Sequence, residues 1–136
     1  MAVTTSMYNS ALAALLAAFN WTSATIYVAL FSASTFGATN AAYTTEGTEV
    51  ANANGYTTGG QAVGTRTADG TTTVAAKISA ATVWTATGAG FTAHAAKLYI
   101  SAGIPLCHID FGADVTASGG GTWTLTWAAG GVFSIG

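Results

Sequence analysis

Thr122-Trp123-Thr124-Leu125-Thr126-Trp127 alternates threonine with a large apolar residue without a break. Successive side chains of a strand point to opposite faces, so Trp123, Leu125 and Trp127 share one face and the three threonines the other. The pattern predicts a half-buried β-strand. The aromatic stripe reads as core, because such side chains bury the largest apolar areas. Read instead as a binding surface, the same stripe would line a carbohydrate-binding face. The threonine face is either solvated or paired with another subunit.

Outward from this strand, most of the chain reads the same way. In Thr25-Ile26-Tyr27-Val28-Ala29-Leu30-Phe31 both faces are apolar, as expected of a central strand covered on both sides. Strands are predicted over 61–67 and 72–78, joined by a type I′ hairpin through Asp69-Gly70. Further strands are expected over 81–85, 93–100, 105–110 and 132–135. Ser118-Gly119-Gly120-Gly121 reads as a hairpin loop. Residues 32–60, rich in Ser, Thr, Asn and Gly, form a long excursion that ends in the turn chemistry of Asn54-Gly55 and Gly59-Gly60. One helix is expected, over 7–19, where Tyr8, Leu12, Leu15, Leu16 and Phe19 make an apolar stripe, with Ser6 as its N-cap.

The predicted fold is therefore mainly β: an antiparallel β-sandwich or barrel of about eight strands with one N-terminal helix. At 136 residues the chain is one domain, 1–136, divided into an N-terminal arm (1–6), the helix (7–19) and a β domain (24–135). It shows neither a fixed-period repeat nor a linker.

Charge is the anomaly. Charged residues make up 6% of the chain, against about 25% in ordinary globular domains. Arg66, Lys77 and Lys97 are the only basic residues other than histidine, and the formal net charge is −2. Three scattered cations cannot build a phosphate-binding patch, so nucleic acid is not an expected partner. A cationic membrane-surface helix is excluded for the same reason. The apolar stretch from Ala11 to Phe19 is about half the roughly 20 residues a spanning helix needs. The start of the sequence lacks the positive charge of a secretory signal, so assembly in a host cytoplasm is expected. Interface cores are depleted in charge, and a surface this bland fits a protein covered in an assembly.

Few residues could carry catalysis. His108 and Asp110 are two apart on a predicted strand and share a face, which suits a base with its orienting carboxylate or two metal ligands. His94, Asp114 and Glu46 are the obvious supplements, but two ligands do not make a site. Read as structure, His108 and Asp110 make a local hydrogen bond beside the Asp110-Phe111-Gly112 turn. Glu46, Glu49, Asp69, Asp110 and Asp114 have no calcium-loop spacing. Cys107 is the single cysteine, so no intrachain disulfide forms, and its apolar flanks predict a buried, inert thiol. The expectation is a protein that is not an enzyme, with no catalytic, cofactor-binding or metal-binding residues, no cofactor and no small-molecule substrate.

The order of segments carries a further signal. Tyr8-Asn9-Ser10-Ala11 through Leu16 is followed by Ile26-Tyr27-Val28-Ala29-Leu30, then by Glu49-Val50 and Gly55-Tyr56-Thr57-Thr58-Gly59-Gly60. The end runs through Ile109-Asp110-Phe111-Gly112, Ser118 to Gly121, Thr122 to Trp127 and Gly131 to Ile135. In this succession the chain resembles a family of small structural proteins encoded in the virion gene clusters of tailed phages and prophages. It departs from that family in carrying Ala, Thr and Gly where members carry more Asp and Lys. The resemblance implies a virion component that decorates or cements the capsid. Such a protein sits on the shell as a homotrimer and clamps neighbouring subunits of the major capsid protein, with the arm 1–6 and the excursion 32–60 as its gripping parts. A tail, neck or fibre-base component is the alternative. So is a carbohydrate-binding module on the virion surface, which would require Trp123 with Trp127, or Trp84 with Tyr56, as an exposed platform.

Overall fold

The computed structural model describes residues 4–8, 21–69 and 74–135. Among them the chain is mainly β, with eleven strands and no helix. The strands are β1 (Thr4–Met7), β2 (Ile26–Ser34), β3 (Gly47–Glu49), β4 (Gln61–Ala62), β5 (Arg66–Asp69), β6 (Val74–Ile78), β7 (Thr82–Thr85), β8 (Phe91–Ile100), β9 (Pro105–Ala117), β10 (Thr122–Leu125) and β11 (Phe133–Ile135). Three open sheets result, antiparallel throughout. The largest runs β1-β9-β8-β2-β3, with β4 also pairing β2; the others are β10-β7 and β11-β6-β5. No barrel closes.

The two apolar faces of β2 explain why the large sheet is central. Ile26, Val28 and Leu30 point into the main core, with Leu98, Ile109 and Phe111 from the same sheet and Ile78, Trp84, Trp123 and Leu125 from the two small sheets. Ala29 and Phe31 point the other way and cluster with Ala95 and Tyr99. Each large apolar side chain fully buried in this way contributes about 1.5–3 kcal/mol. The β7–β10 ribbon follows its sequence pattern. Trp84, Trp123 and Leu125 are buried, while Val83, Thr85, Thr122 and Thr124 face outward.

A register shift lies between Ala93 and Ala95 of β8, where Ala93 opposes Val115 but Ala95 opposes Asp110. The extra residues of β9, 111–114, bulge opposite His94. The bulge switches sides: Phe91 and Ala93 before it, and Ala96 and Leu98 after it, all reach the main core.

Several expectations are corrected. Of the arm expected over 1–6, residues 4–6 belong to β1 (Thr4–Met7) on the edge of the large sheet, paired residue by residue with residues 107–110 of β9, and residues 1–3 lie outside the described residues. Ser6 and Met7 therefore belong to a strand and cannot begin a helix. From residue 9 to 20, the helix expected over 7–19 lies outside the described residues. The strand expected over 61–67 is two strands, β4 and β5, because Gln61 and Ala62 pair with β2 while Arg66–Asp69 pairs with β6. Asp69 is not a turn residue. It opposes Ala75 in the ladder, which excludes a two-residue Asp69-Gly70 turn. Strand β9 runs on past 110 to Ala117. Ser118–Gly121 is a crossover rather than a hairpin loop, because β10 pairs β7 and not β9.

The turn before β4 requires its glycine. Gly60 has φ +67°, and a Cβ there would lie 1.8 Å from the Val28 carbonyl oxygen. Only a residue without a side chain lets this turn lie directly on β2.

Candidate functional site

The motif Glu49…Gly55-Tyr56-Thr57-Thr58-Gly59-Gly60 forms a latch. The Tyr56 hydroxyl donates to Glu49 Oε1 at 2.7 Å, and the Gly59 N–H donates to the same oxygen at 2.6 Å. The Leu30 N–H in turn donates to Tyr56 Oη at 3.0 Å. Burial, with the Glu49 hydrogen bond second, holds the Tyr56 phenol well above the ordinary range. The Tyr99 hydroxyl donates to Gly59 O at 2.6 Å. Its ring stacks on Tyr43 with centroids 3.9 Å apart and on Tyr27 at 5.5 Å. The excursion 32–60 is thus fastened to the large sheet by a tyrosine stack and the half-buried Glu49 carboxylate.

The local hydrogen bond expected beside the Asp110-Phe111-Gly112 turn is made by Asp110 and not by His108. His108 is buried and shares a 3.2 Å hydrogen bond with Ser34 Oγ of β2. Burial, together with the neighbouring Lys97 charge, lowers its pKa. Asp110 instead accepts from the Gly112 N–H at 2.8 Å, which fixes the bulge of β9. His94 is the residue that meets the carboxylates. Its Nδ1 donates to Asp114 Oδ1 at 2.8 Å, and its Nε2 stands 3.7 Å from Asp110 Oδ1. The two contacts use opposite nitrogens, so the carboxylates flank the ring and do not converge on one point. Among the described residues, no group of three or more His, Cys, Asp or Glu side chains is arranged to hold a metal ion. Cys107 is fully buried, and burial pushes its thiol up to about 12. Such a thiol is a poor nucleophile.

Trp123 and Trp84 face each other inside the protein. The Trp123 indole N–H donates to Val115 O at 3.0 Å. Half-buried Trp127 donates to Thr82 Oγ1 at 3.1 Å. Tyr56 is buried beside Trp84, with centroids 6.4 Å apart. These aromatics are core, and neither pair forms a flat exposed platform.

The destinations of the charged residues are almost unmarked in the sequence. Arg66 Nε donates to Trp21 O at 2.9 Å and Nη1 to Gly64 O at 3.2 Å, with Nη2 reaching the Ala24 carbonyl. Lys97 is fully buried, and its ammonium donates to Thr45 O and lies 4.8 Å from the centre of the Phe31 ring. Glu46 Oε2 accepts from Asn40 Nδ2 at 3.2 Å. The one available signal is the position of Lys97 within the otherwise apolar run Ala95-Ala96-Lys97-Leu98-Tyr99-Ile100.

The outer face of the β7–β10 ribbon is uncharged. There Thr122 stands opposite Thr85 and Thr124 opposite Val83, which is 46% exposed. No protein-family model, curated protein or solved structure matches the chain.

Proposed function

We propose that the chain is a non-enzymatic structural protein of a tailed-phage virion, a decoration or cement protein that binds between capsid subunits. The observation that carries this reading is the distribution of charge. Arg66, Lys97, Glu46, Glu49, Asp110 and Asp114 all bond to the protein's own groups, while the β7–β10 ribbon presents Val83, Thr85, Thr122 and Thr124 outward. A monomer usually stays soluble through a mixed, charged surface. A surface with so little charge is suited to burial against further copies and against the capsid. The antiparallel sandwich-like stacking of three sheets on one core supplies a stiff body for that role.

The mechanism is associative. Homotrimers seated between neighbouring major capsid subunits stabilise the shell by mass action, in proportion to affinity and occupancy. The succession of segments resembling small virion structural proteins supports the same reading. A tail, neck or fibre-base component is the second reading, since a low-charge β surface serves a ring as well as a shell. Copy number separates them. In purified virions, quantitative mass spectrometry against the major capsid protein gives hundreds of copies for a decoration protein. A handful of copies contradicts that reading and moves the protein to the tail or neck.

A further inference from the structure

Residues 35–46 join β2 to β3 and fold back over the face of the large sheet that carries Phe31 and Tyr99. The Thr35 N–H donates to Glu46 O at 3.0 Å and closes the base of this segment. Tyr43 stacks on Tyr99 with centroids 3.9 Å apart, and its N–H donates to Gly103 O, in the β8–β9 turn, at 2.9 Å. Thr45 O accepts from the Lys97 ammonium. Phe36 lies against Tyr8 and His108, with ring centroids 4.9 and 6.3 Å away. At the base Glu46 holds a left-handed φ of +54°, a conformation an ordinary side chain adopts only when its surroundings impose it.

Two basic side chains lie under this segment. Lys97 of β8 and His108 of β9 stand opposite each other in the ladder, and they are 0% and 5% exposed. Among the described residues neither forms an ion pair with a carboxylate. Lys97 meets the Phe31 ring and Thr45 O, with the Glu46 charge farther off. Around His108, β8 supplies Lys97, β2 supplies Ser34 Oγ at 3.2 Å, β1 places Ser6 opposite, and the segment 35–46 supplies Phe36. Behind Phe36, the Tyr8 phenol is pushed well above its ordinary range by burial and stays neutral. On the same strand, Asp110 spends Oδ1 on the Gly112 N–H. A neutral His108 leaves one cation at this place. A protonated ring sets a second directly opposite the first, and like charges at opposing positions of a ladder repel. Burial and the Lys97 charge disfavour that proton, with Asp110 opposing them.

We propose that Lys97 and His108 form a proton-operated catch for the segment 35–46. When His108 takes up a proton, two cations stand side by side beneath Thr45 and Phe36, and the segment lifts to let water reach both. Lifting breaks the bond from Lys97 to Thr45, the contact of Phe36 with His108 and the attachment of Tyr43 to Gly103. The main core stays closed, because it lies on the other face of the sheet. Phe31, Tyr43 and Tyr99 are uncovered, an aromatic surface that the attached segment covers. The direction follows from linkage. His108 has its ordinary pKa once the segment has lifted and a lower one beneath it, so lifting takes up a proton. The attached form is therefore favoured above pH 6.5 and is lost as the pH falls below it.

The test is amide hydrogen exchange on the purified full chain, read residue by residue by NMR above and below pH 6.5. After correction for the intrinsic rate, protection of the Tyr43 N–H should fall by up to about tenfold per pH unit below that point. The Ala86 and Gly120 amides, which bond across the end of the β7–β10 ribbon, should keep theirs. The His108 ring resonance should titrate over the same range as the Tyr43 loss. His108→Gln should flatten the Tyr43 profile, and Lys97→Met should shrink the fall. If Lys97→Met fails to fold, the wild-type ring decides: a ring that titrates with Tyr43 still protected overturns the proposal. So does a loss shared equally by Ala86 and Gly120, which is global unfolding, or a fall that persists in His108→Gln.

Discussion

Trp84 and Trp123 stand directly opposite each other across the β7–β10 ribbon, with ring centroids 5.6 Å apart and planes at 80°. The edge-to-face pair is extended by Phe111 of the large sheet, whose ring lies 5.2 Å from Trp123. This is the point at which the small ribbon is joined to the main core. Trp123→Ala removes both ring contacts and the bond to Val115 O. It should cost about 3–5 kcal/mol, the range for truncating a buried aromatic. Denaturant unfolding followed by near-ultraviolet circular dichroism measures the loss. Thr124→Ala, on the outer face of the same strand, should stay within about 0.5 kcal/mol of wild type in the isolated subunit.

The latch around Glu49 predicts a local effect. Tyr56→Phe keeps the ring but strips Glu49 of one donor and the Leu30 N–H of its acceptor. Leaving such buried groups unpaired costs about 1–3 kcal/mol. Hydrogen exchange should show loss of protection at Leu30 and Gly59, with the β5–β6 amides unchanged.

Gly60 and Gly120 both have positive φ, at +67° and +86°, but only Gly60 lies against backbone. Gly120→Ala meets nothing within 4 Å and carries backbone strain alone, of order 1–3 kcal/mol. Gly60→Ala adds a clash with Val28 O and should be the more destabilising, by thermal denaturation of the two variants side by side.

His108 predicts a pH dependence. Burial lowers its pKa below the ordinary 6.5, so in the window just under 6.5 the unfolded chain binds the proton that the folded chain refuses. Stability therefore rises with pH through that window and is lost as the pH falls below it. The charged and titratable neighbours are Lys97 across the strand pair, which adds to the effect, and Asp110, which opposes it. Urea midpoints measured on either side of pH 6.5 should fall more steeply on acidification for wild type than for His108→Gln. Equal slopes would show that the imidazole is not held neutral.

Cys107 should not react with a thiol reagent while the protein is folded, because burial disfavours the thiolate. Labelling should appear only as the chain unfolds, and its rate should track denaturant concentration. Rapid labelling under native conditions would contradict the packing of β9.

The strands with a clean period were legible. The alternation at 122–127 and the double apolar face at 26–31 both placed their residues correctly, because a side-chain period of two leaves one choice of buried face. The failures lie where the period breaks. The four-residue bulge at 111–114 hid the continuation of β9, since Asp110-Phe111-Gly112 reads as a turn. Thr4–Met7 is too short and too polar to announce a strand that exists because β9 offers an open edge. The Asp69-Gly70 turn signal lost to the β5–β6 register. At the candidate site, His94, Asp110, Asp114 and Glu46 were named as companions of His108, but the structure gives His108 to Ser34 and the carboxylates to His94, Gly112 and Asn40. Sequence spacing ranks neighbours along one strand, whereas these partners come from elsewhere in the fold.

The central claim is that the uncharged outer face of the β7–β10 ribbon exists to be covered by other copies and by the capsid. The most direct measurement is the mass of the purified chain in solution by light scattering, over a range of concentrations. The account predicts a homotrimer that persists on dilution and is disrupted by a charge placed on the β7–β10 face, as in Thr124→Lys. A stable monomer with an unchanged sedimentation profile in that variant would contradict it.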